Sequence, residues 1–164
     1  MAAAQPEWDV GIEAADADDP RVAVLIADHL AEMEPTAPVC SRHALTVEQV
    51  RDPAVRLWVA QAETGPAADL LGSVALKALA PGHVELKTMR VAPAARGRGL
   101  GRMLLAHALE EARRSGAGRV SLETGTAAVF GPARALYESA GFTECTAFGD
   151  YRPDRYSVFL TIEV

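Results

Sequence analysis

The sequence predicts an α/β (α+β) fold, a mixed sheet flanked by helices, with residues 1–164 forming one domain. Three observations predict it. Short apolar runs bounded by Gly, Pro and polar turns read as strands. Apolar stripes with a three-to-four residue spacing read as helices. In the second half of the chain the two types alternate, as strand–helix–strand–helix–strand.

Each element has its own signal. Trp8 to Ile12 alternates weakly and reads as an edge strand. Asp19-Pro20 is a helix start, with Asp19 as N-cap and Pro20 at the first helical position. Val22, Leu25, Ile26, His29, Leu30 and Met33 continue that helix as a stripe, and Pro35 and Pro38 end it. Thr46-Val47-Glu48-Gln49 is a capping box and predicts a second short helix. Val55–Ala62 and Leu70–Leu79 flank Glu63-Thr64-Gly65-Pro66, which reads as a hairpin loop. Val84–Val91 follows the Pro81-Gly82 turn as a further strand. Leu100, Met103, Leu104, Ala108 and Ala112 mark a long amphipathic helix that Gly116 and Gly118 end. Arg119–Thr124 is a strand, and Pro132 opens a helix carrying Ala133, Leu136, Tyr137 and Ala140. Phe142–Cys145 and Tyr156–Ile162 are the last strands, paired antiparallel.

The strand Val84–Val91 breaks its own alternation. Apolar residues fall at Val84 and Leu86, then at Met89 and Val91. A regular pleat keeps its phase. One extra residue near Lys87 or Thr88 restores both halves to one face, so a β-bulge is expected there. Bulges concentrate beside active sites.

Composition removes several function classes. A net charge of −6 argues against nucleic acid or an acidic membrane as partner. The N-terminus lacks a signal-peptide pattern. No apolar run reaches the ~18 residues of a membrane span. Cys40 and Cys145 have no zinc-ligand spacing, so no metal is expected, and reduced thiols point to the cytoplasm. Within this acidic chain Arg90, Arg96, Arg98 and Arg102 cluster, which suits a small polyanion.

That cluster surrounds Arg96-Gly97-Arg98-Gly99-Leu100-Gly101 at a helix entry. Free N–H groups and partial positive charge at a helix start bind anions, and glycine permits close backbone approach. A P-loop is excluded because no Lys follows the glycines. The dinucleotide fingerprint fails because Arg102 takes the place of its last Gly. NAD and ATP are therefore disfavoured.

With the strand Glu85–Pro93, the Arg-x-x-Gly-x-Gly turn and the segment Ala133–Phe142 in that order, the chain resembles the GCN5-related N-acetyltransferase (GNAT) superfamily from about Leu70 to Phe142. The resemblance implies a mostly antiparallel twisted sheet whose bulged central strand splays from the Arg119–Thr124 strand to open a cofactor slot. Met89, Arg90 and Val91 would hold the pantetheine arm of acetyl-CoA. Arg96, Gly97, Arg98, Gly99, Leu100, Gly101 and Arg102 would hold its pyrophosphate, with Phe130 and Ala133 adding contacts. Tyr137 matches the family's general acid. Phe130 departs from the pattern, because many members have a cofactor-binding Asn there.

The expected activity is acetyl transfer from acetyl-CoA to a primary amine of a small molecule or peptide. The alternative is a non-catalytic acyl-CoA sensor. Amine attack on a thioester requires placement, a route for the amine proton, donors for the developing oxyanion and an acid for the thiolate. Glu85 and Glu123 are the candidate bases, and an unpaired N–H at the bulge is the candidate oxyanion donor. His29, Glu32 and Met33 on the first helix are candidate acceptor contacts, although His29 sits on the apolar stripe and reads first as a core histidine. Tyr151 lies in the loop Phe148–Asp154, which either closes over substrate or simply joins two strands. A homodimer is expected by analogy alone.

Overall fold

The computed structural model describes residues 9–62 and 70–164. The phase break predicted from sequence organises the sheet. Strands β1 (Val10–Ala14), β2 (Val55–Ala62), β3 (Gly72–Ala80), β4 (His83–Val91), β5 (Arg119–Gly125), β6 (Thr143–Glu144) and β7 (Ser157–Glu163) form one sheet in the order β1-β2-β3-β4-β5-β7-β6. Every neighbouring pair is antiparallel except β4–β5, which is parallel.

Between β3 and β4 the register passes from Ser73↔Arg90 to Ala75↔Lys87, so β4 carries one extra residue. Thr88, inside that extra step, has a left-handed backbone with φ 52°. A β-branched residue there costs on the order of 1–3 kcal/mol. The Ser73 hydroxyl, fully buried, donates to the Thr88 carbonyl at 2.7 Å. The bulge returns Met89 and Val91 to the face of Val84 and Leu86.

Helices cover both faces. α1 (Pro20–Met33) starts with the Asp19 side chain accepting from the Arg21 N–H at 2.8 Å. Its Val22, Leu25 and Ile26 pack on Leu57, Val59 and Ala75. α2 (Leu100–Arg114) buries Leu104, Leu105 and Ala108 against Trp58, Val74, Leu76 and Leu86 on the other face. α3 (Gly131–Ser139) adds Tyr137 to that second core. Strands β2 and β3 are apolar on both sides because both sides are covered.

Some element expectations change. The capping box forms, with Gln49 N–H donating to Thr46 Oγ1 (3.2 Å) and Thr46 N–H to Gln49 Oε1 (2.9 Å). It starts only a single 3₁₀ turn, Gln49–Arg51, and no α-helix. Asp52 precedes Pro53 and is extended at φ −59°, ψ 130°, as the proline ring requires. The strand expected over Phe142–Cys145 is only Thr143–Glu144. Trp8 and the loop Glu63–Pro66 lie outside the described residues.

Ser73→Ala removes the hydroxyl that holds the Thr88 carbonyl. We expect it to lower unfolding stability in urea by about 1–2 kcal/mol. An unchanged urea midpoint would show that the bulge stands without this bond.

Candidate active site

The chain leaves β4 through a 3₁₀ turn, Pro93–Ala95, and enters α2 across Gly97 and Gly99. These glycines have φ 74° and 84°, and a side chain on either would project into open space. Gly99 is the N-cap, and the Met103 N–H reaches its carbonyl at 3.2 Å. The N–H groups of Leu100, Gly101 and Arg102 precede that first helical bond and face outward from the helix start. Buried Leu100 pins the turn to the core. Gly101 is tight, since a Cβ there would come within 3.3 Å of Leu136 and 3.8 Å of Met89 and Val91. Arg98 and Arg102 are exposed beside the turn. Open backbone, free N–H groups and guanidinium charge fit a pyrophosphate.

Arg96 is a brace for this turn. Its Nε donates to the Val91 carbonyl at 2.9 Å and its guanidinium pairs with Glu32 at 3.2 Å. The same carboxylate holds buried Arg90 at 2.8 Å. Glu32, expected against the acceptor, thus ties α1 to β4 and to the anion turn. Arg90 hydrogen bonding, then burial in opposition, set the Glu32 carboxyl below its ordinary range. Arg90 faces α1 because the bulge assigns Met89 and Val91 to the other side.

Strands β4 and β5 pair only from His83↔Arg119 to Glu85↔Ser121. Beyond that they separate, and a slot of about 90 Å³ opens. From the α3 side it is lined by Phe130, Ala133 and Tyr137. From the α1 side it is lined by His29 and Met33, and from the strands by Glu85, Thr88, Met89 and Glu123. All three catalytic candidates, Tyr137, Glu85 and Glu123, therefore share one slot. The Thr88 hydroxyl oxygen is buried there with no hydrogen-bond partner among the described residues.

Electrostatics assign these groups protonation states. Burial, and then the charge of Glu123, push the Tyr137 phenol above its ordinary value. It keeps its proton at neutral pH and can only donate. Burial raises Glu123 as well, against the pull of Ser157 and Lys87. Burial and the charge of Arg90 push His29 down from 6.5 to about 4, so His29 is neutral. That matches its reading as a core-facing histidine, although it also lines the slot.

The slot continues into an outer cavity of about 510 Å³ between β4, the segment Cys40–Leu45 and the loop Gly149–Asp154. Glu85, Lys87, His43 and Ala44 line both spaces. Glu85 is 3% exposed. Lys87 donates to its Oε1 at 3.1 Å, and the Tyr151 hydroxyl donates to the same oxygen. Lys87 also reaches the Tyr151 oxygen at 2.8 Å. Among the described residues no hydrogen bond reaches Oε2. Tyr151 thus belongs to the outer cavity and holds Glu85 in place. Sequence reasoning missed Lys87 as a site residue. The signal was available, since Glu85 and Lys87 share one face of a strand by its two-residue period. It also missed Arg42 and His43, in a segment without a pattern of its own, and Lys77, on a strand whose pattern does not show which cavity it lines.

Phe130 occupies the space that a β-carbon on Gly125 would take. Arg134 donates to the Gly125 carbonyl at 2.6 Å and the Ala127 carbonyl at 3.2 Å, closing the turn that presents Phe130. Phe130 gives the slot an aromatic wall on the α3 side.

Comparison with known proteins gives a consistent result. The model of the acetyltransferase (GNAT) family matches residues 23–142. An uncharacterized N-acetyltransferase of Bacillus subtilis is 42% identical over 141 residues, 86% of this chain and 91% of that protein. An uncharacterized N-acetyltransferase of Escherichia coli is 40% identical over 151 residues, 92% of each chain. A structure from Klebsiella pneumoniae, described as that of an acyl-CoA N-acyltransferase, superposes with TM-score 0.75 at 27% identity, covering 94% of this chain and 97% of its own.

Two outcomes follow from this geometry. Gly125→Ala forces the Phe130 ring out of place, so we expect a lower melting temperature and weaker CoA binding by calorimetry. Adding Phe130→Ala should recover much of the lost melting temperature, and additive losses would refute the contact. For His29, the unfolded chain binds a proton between pH 6.5 and about 4 that the folded chain does not. Its contribution to stability is complete above 6.5 and is lost as pH falls towards 4. His29→Asn should shrink the acid-side slope of stability against pH in urea titrations.

Proposed function

The chain belongs to the GNAT acetyltransferase family and is an acetyl-CoA-dependent N-acetyltransferase; from that premise we propose that Glu85 and Tyr137 are its proton acceptor and proton donor, acting on a primary amine of a small molecule or peptide. The observation that carries this is the position of Glu85, the one carboxylate among the described residues that lines both the slot and the outer cavity. An amine entering from the outer cavity meets it before it reaches the slot.

Acetyl-CoA supplies the thioester whose carbonyl carbon the amine nitrogen attacks and whose sulfur departs. The anion turn holds its pyrophosphate through the N–H groups of Leu100, Gly101 and Arg102 and the charges of Arg98 and Arg102. Met89, Arg90 and Val91 offer backbone groups to the pantetheine arm, and Phe130 and Ala133 line its path. Gly101, with no side chain, keeps Met89 and Leu136 close beneath the turn.

Glu85 takes the amine proton, directly or through water, at Oε2. Lys87 and Tyr151 fix its other oxygen and so its rotamer. Backbone N–H groups freed at the bulge around Thr88 and Met89 stabilise the oxyanion. Tyr137 gives its proton to the departing sulfur, a direction that its raised pKa supports. Glu123 keeps charge close to the phenol and helps hold it protonated. His29 and Met33 close the α1 side of the slot against water. We read the whole chain as one acyltransferase domain working in the cytoplasm, where acetyl-CoA is available. No helix among the described residues is long and apolar enough to cross a membrane.

Steady-state kinetics on an accepted amine test these roles. Tyr137→Phe and Glu85→Gln should each lower kcat by about 100-fold or more, with CoA affinity nearly unchanged. Arg102→Ala should instead weaken CoA binding and leave kcat at saturation nearly intact. Unchanged turnover in Tyr137→Phe would reject its role as acid.

A further inference from the structure

Most of the chain's cations are already neutralised within the fold. Of 16 Lys and Arg side chains, nine pair with carboxylates: Arg21, Arg51, Arg56, Lys87, Arg90, Arg96, Arg113, Arg114 and Arg119. Arg134 is bound to carbonyls and Arg155 to a tyrosine hydroxyl. Arg42, Lys77, Arg102 and Arg152 have no ion-pair or hydrogen-bond partner among the described residues. Arg102 belongs to the anion turn. The other three all line the outer cavity.

This concentration is not a property of an acidic chain with a net charge of −6. The Nε of Arg42 is buried and has no partner among the described residues. A buried guanidinium nitrogen without an acceptor is costly, and a bound anion removes the cost. The carboxylates of the cavity do not fill this role. Glu85 is held by Lys87 and Tyr151. Asp154 is held by Ser41 and the Tyr156 N–H, and Asp150 is exposed. Burial keeps His43 neutral, with the Lys87 charge adding to the effect. The cavity has room for a small molecule, and its inner end opens at Glu85.

We propose that the acceptor is a small amine bearing a separate anionic group, a carboxylate or a phosphate, which Arg42, Lys77 and Arg152 bind while the amine reaches Glu85. This rests on the acetyltransferase reading and names the substrate class of that site. The same three cations repel polyamines and lysine-rich peptides, so they also exclude wrong acceptors.

The test is kinetic. Thiol release from acetyl-CoA is measured with L-glutamate, L-aspartate and O-phosphoethanolamine, against L-glutamate dimethyl ester, ethanolamine and spermidine. We expect at least tenfold higher kcat/KM for the anionic amines, rising KM with added salt, and loss of that preference in Arg42→Ala and Arg152→Ala. The carboxylate and phosphate arms show which anion is preferred. CoA affinity and melting temperature should stay unchanged in both variants, which separates lost recognition from lost fold. Equal or better turnover of the ester, ethanolamine or spermidine would overturn the proposal and leave the acetyltransferase reading intact. If no amine is turned over, N-acetyl-L-glutamate and O-phosphoethanolamine are titrated by calorimetry onto the CoA-saturated protein. Binding lost in Arg42→Ala supports the anion site, and no binding to the unaltered protein overturns it.

Discussion

The structure depends on one extra residue in the middle of β4. Its left-handed backbone at Thr88 is unfavourable in itself, and three consequences hold it in place. Ser73 caps the Thr88 carbonyl from the neighbouring strand. Met89 and Val91 return to the α2 face and rejoin the main core. Arg90 turns to the α1 face, where Glu32 neutralises it. A small local cost is spread over hydrogen bonding, apolar burial and an ion pair.

The same step creates the site. Strands β4 and β5 stay paired up to Glu85 and separate beyond it, so Glu85 is the last fixed point before the slot. The anion turn follows a few residues later, and Glu32 ties it back to α1 through Arg96. One carboxylate thereby couples the first helix, the bulged strand and the glycine turn that opens α2. Acceptor-side and cofactor-side elements are braced against each other without either one occupying the slot.

Much of this was legible in the sequence because periodicity and turn chemistry are local. The phase break between Leu86 and Met89 located the bulge, and the glycines of Arg96–Gly101 located the turn into α2. The apolar spacing around Tyr137 placed it on α3, where its side chain lines the slot. The capping box at Thr46 was real, but Pro53 ended what it began, a reminder that a start signal does not fix an element's length. What was not legible depends on pairing across distance. No pattern in residues 40–45 or near Lys77 shows that Arg42, Lys77 and Arg152 converge, since three unrelated segments meet only after folding. Glu32 shows the same limit. Its helical position was clear, while its partners on β4 and the anion turn were not.

Charge is arranged along the site in a way that local signals could not show. Cations lie at both ends, around Arg102 at one and around Arg42, Lys77 and Arg152 at the other. Carboxylates Glu85 and Glu123 lie between them. On the proposed reading, an anionic donor and an anionic acceptor are drawn to opposite ends of one path, and the positive part that must lose its proton is the acceptor's ammonium group. On the same reading, carboxylates at the meeting point attract that group and give it a proton acceptor. Because Arg42, Lys77 and Arg152 have no ion-pair partner among the described residues, their field is available to a ligand. The acidic balance of the rest of the chain then restricts that attraction to the cavity itself.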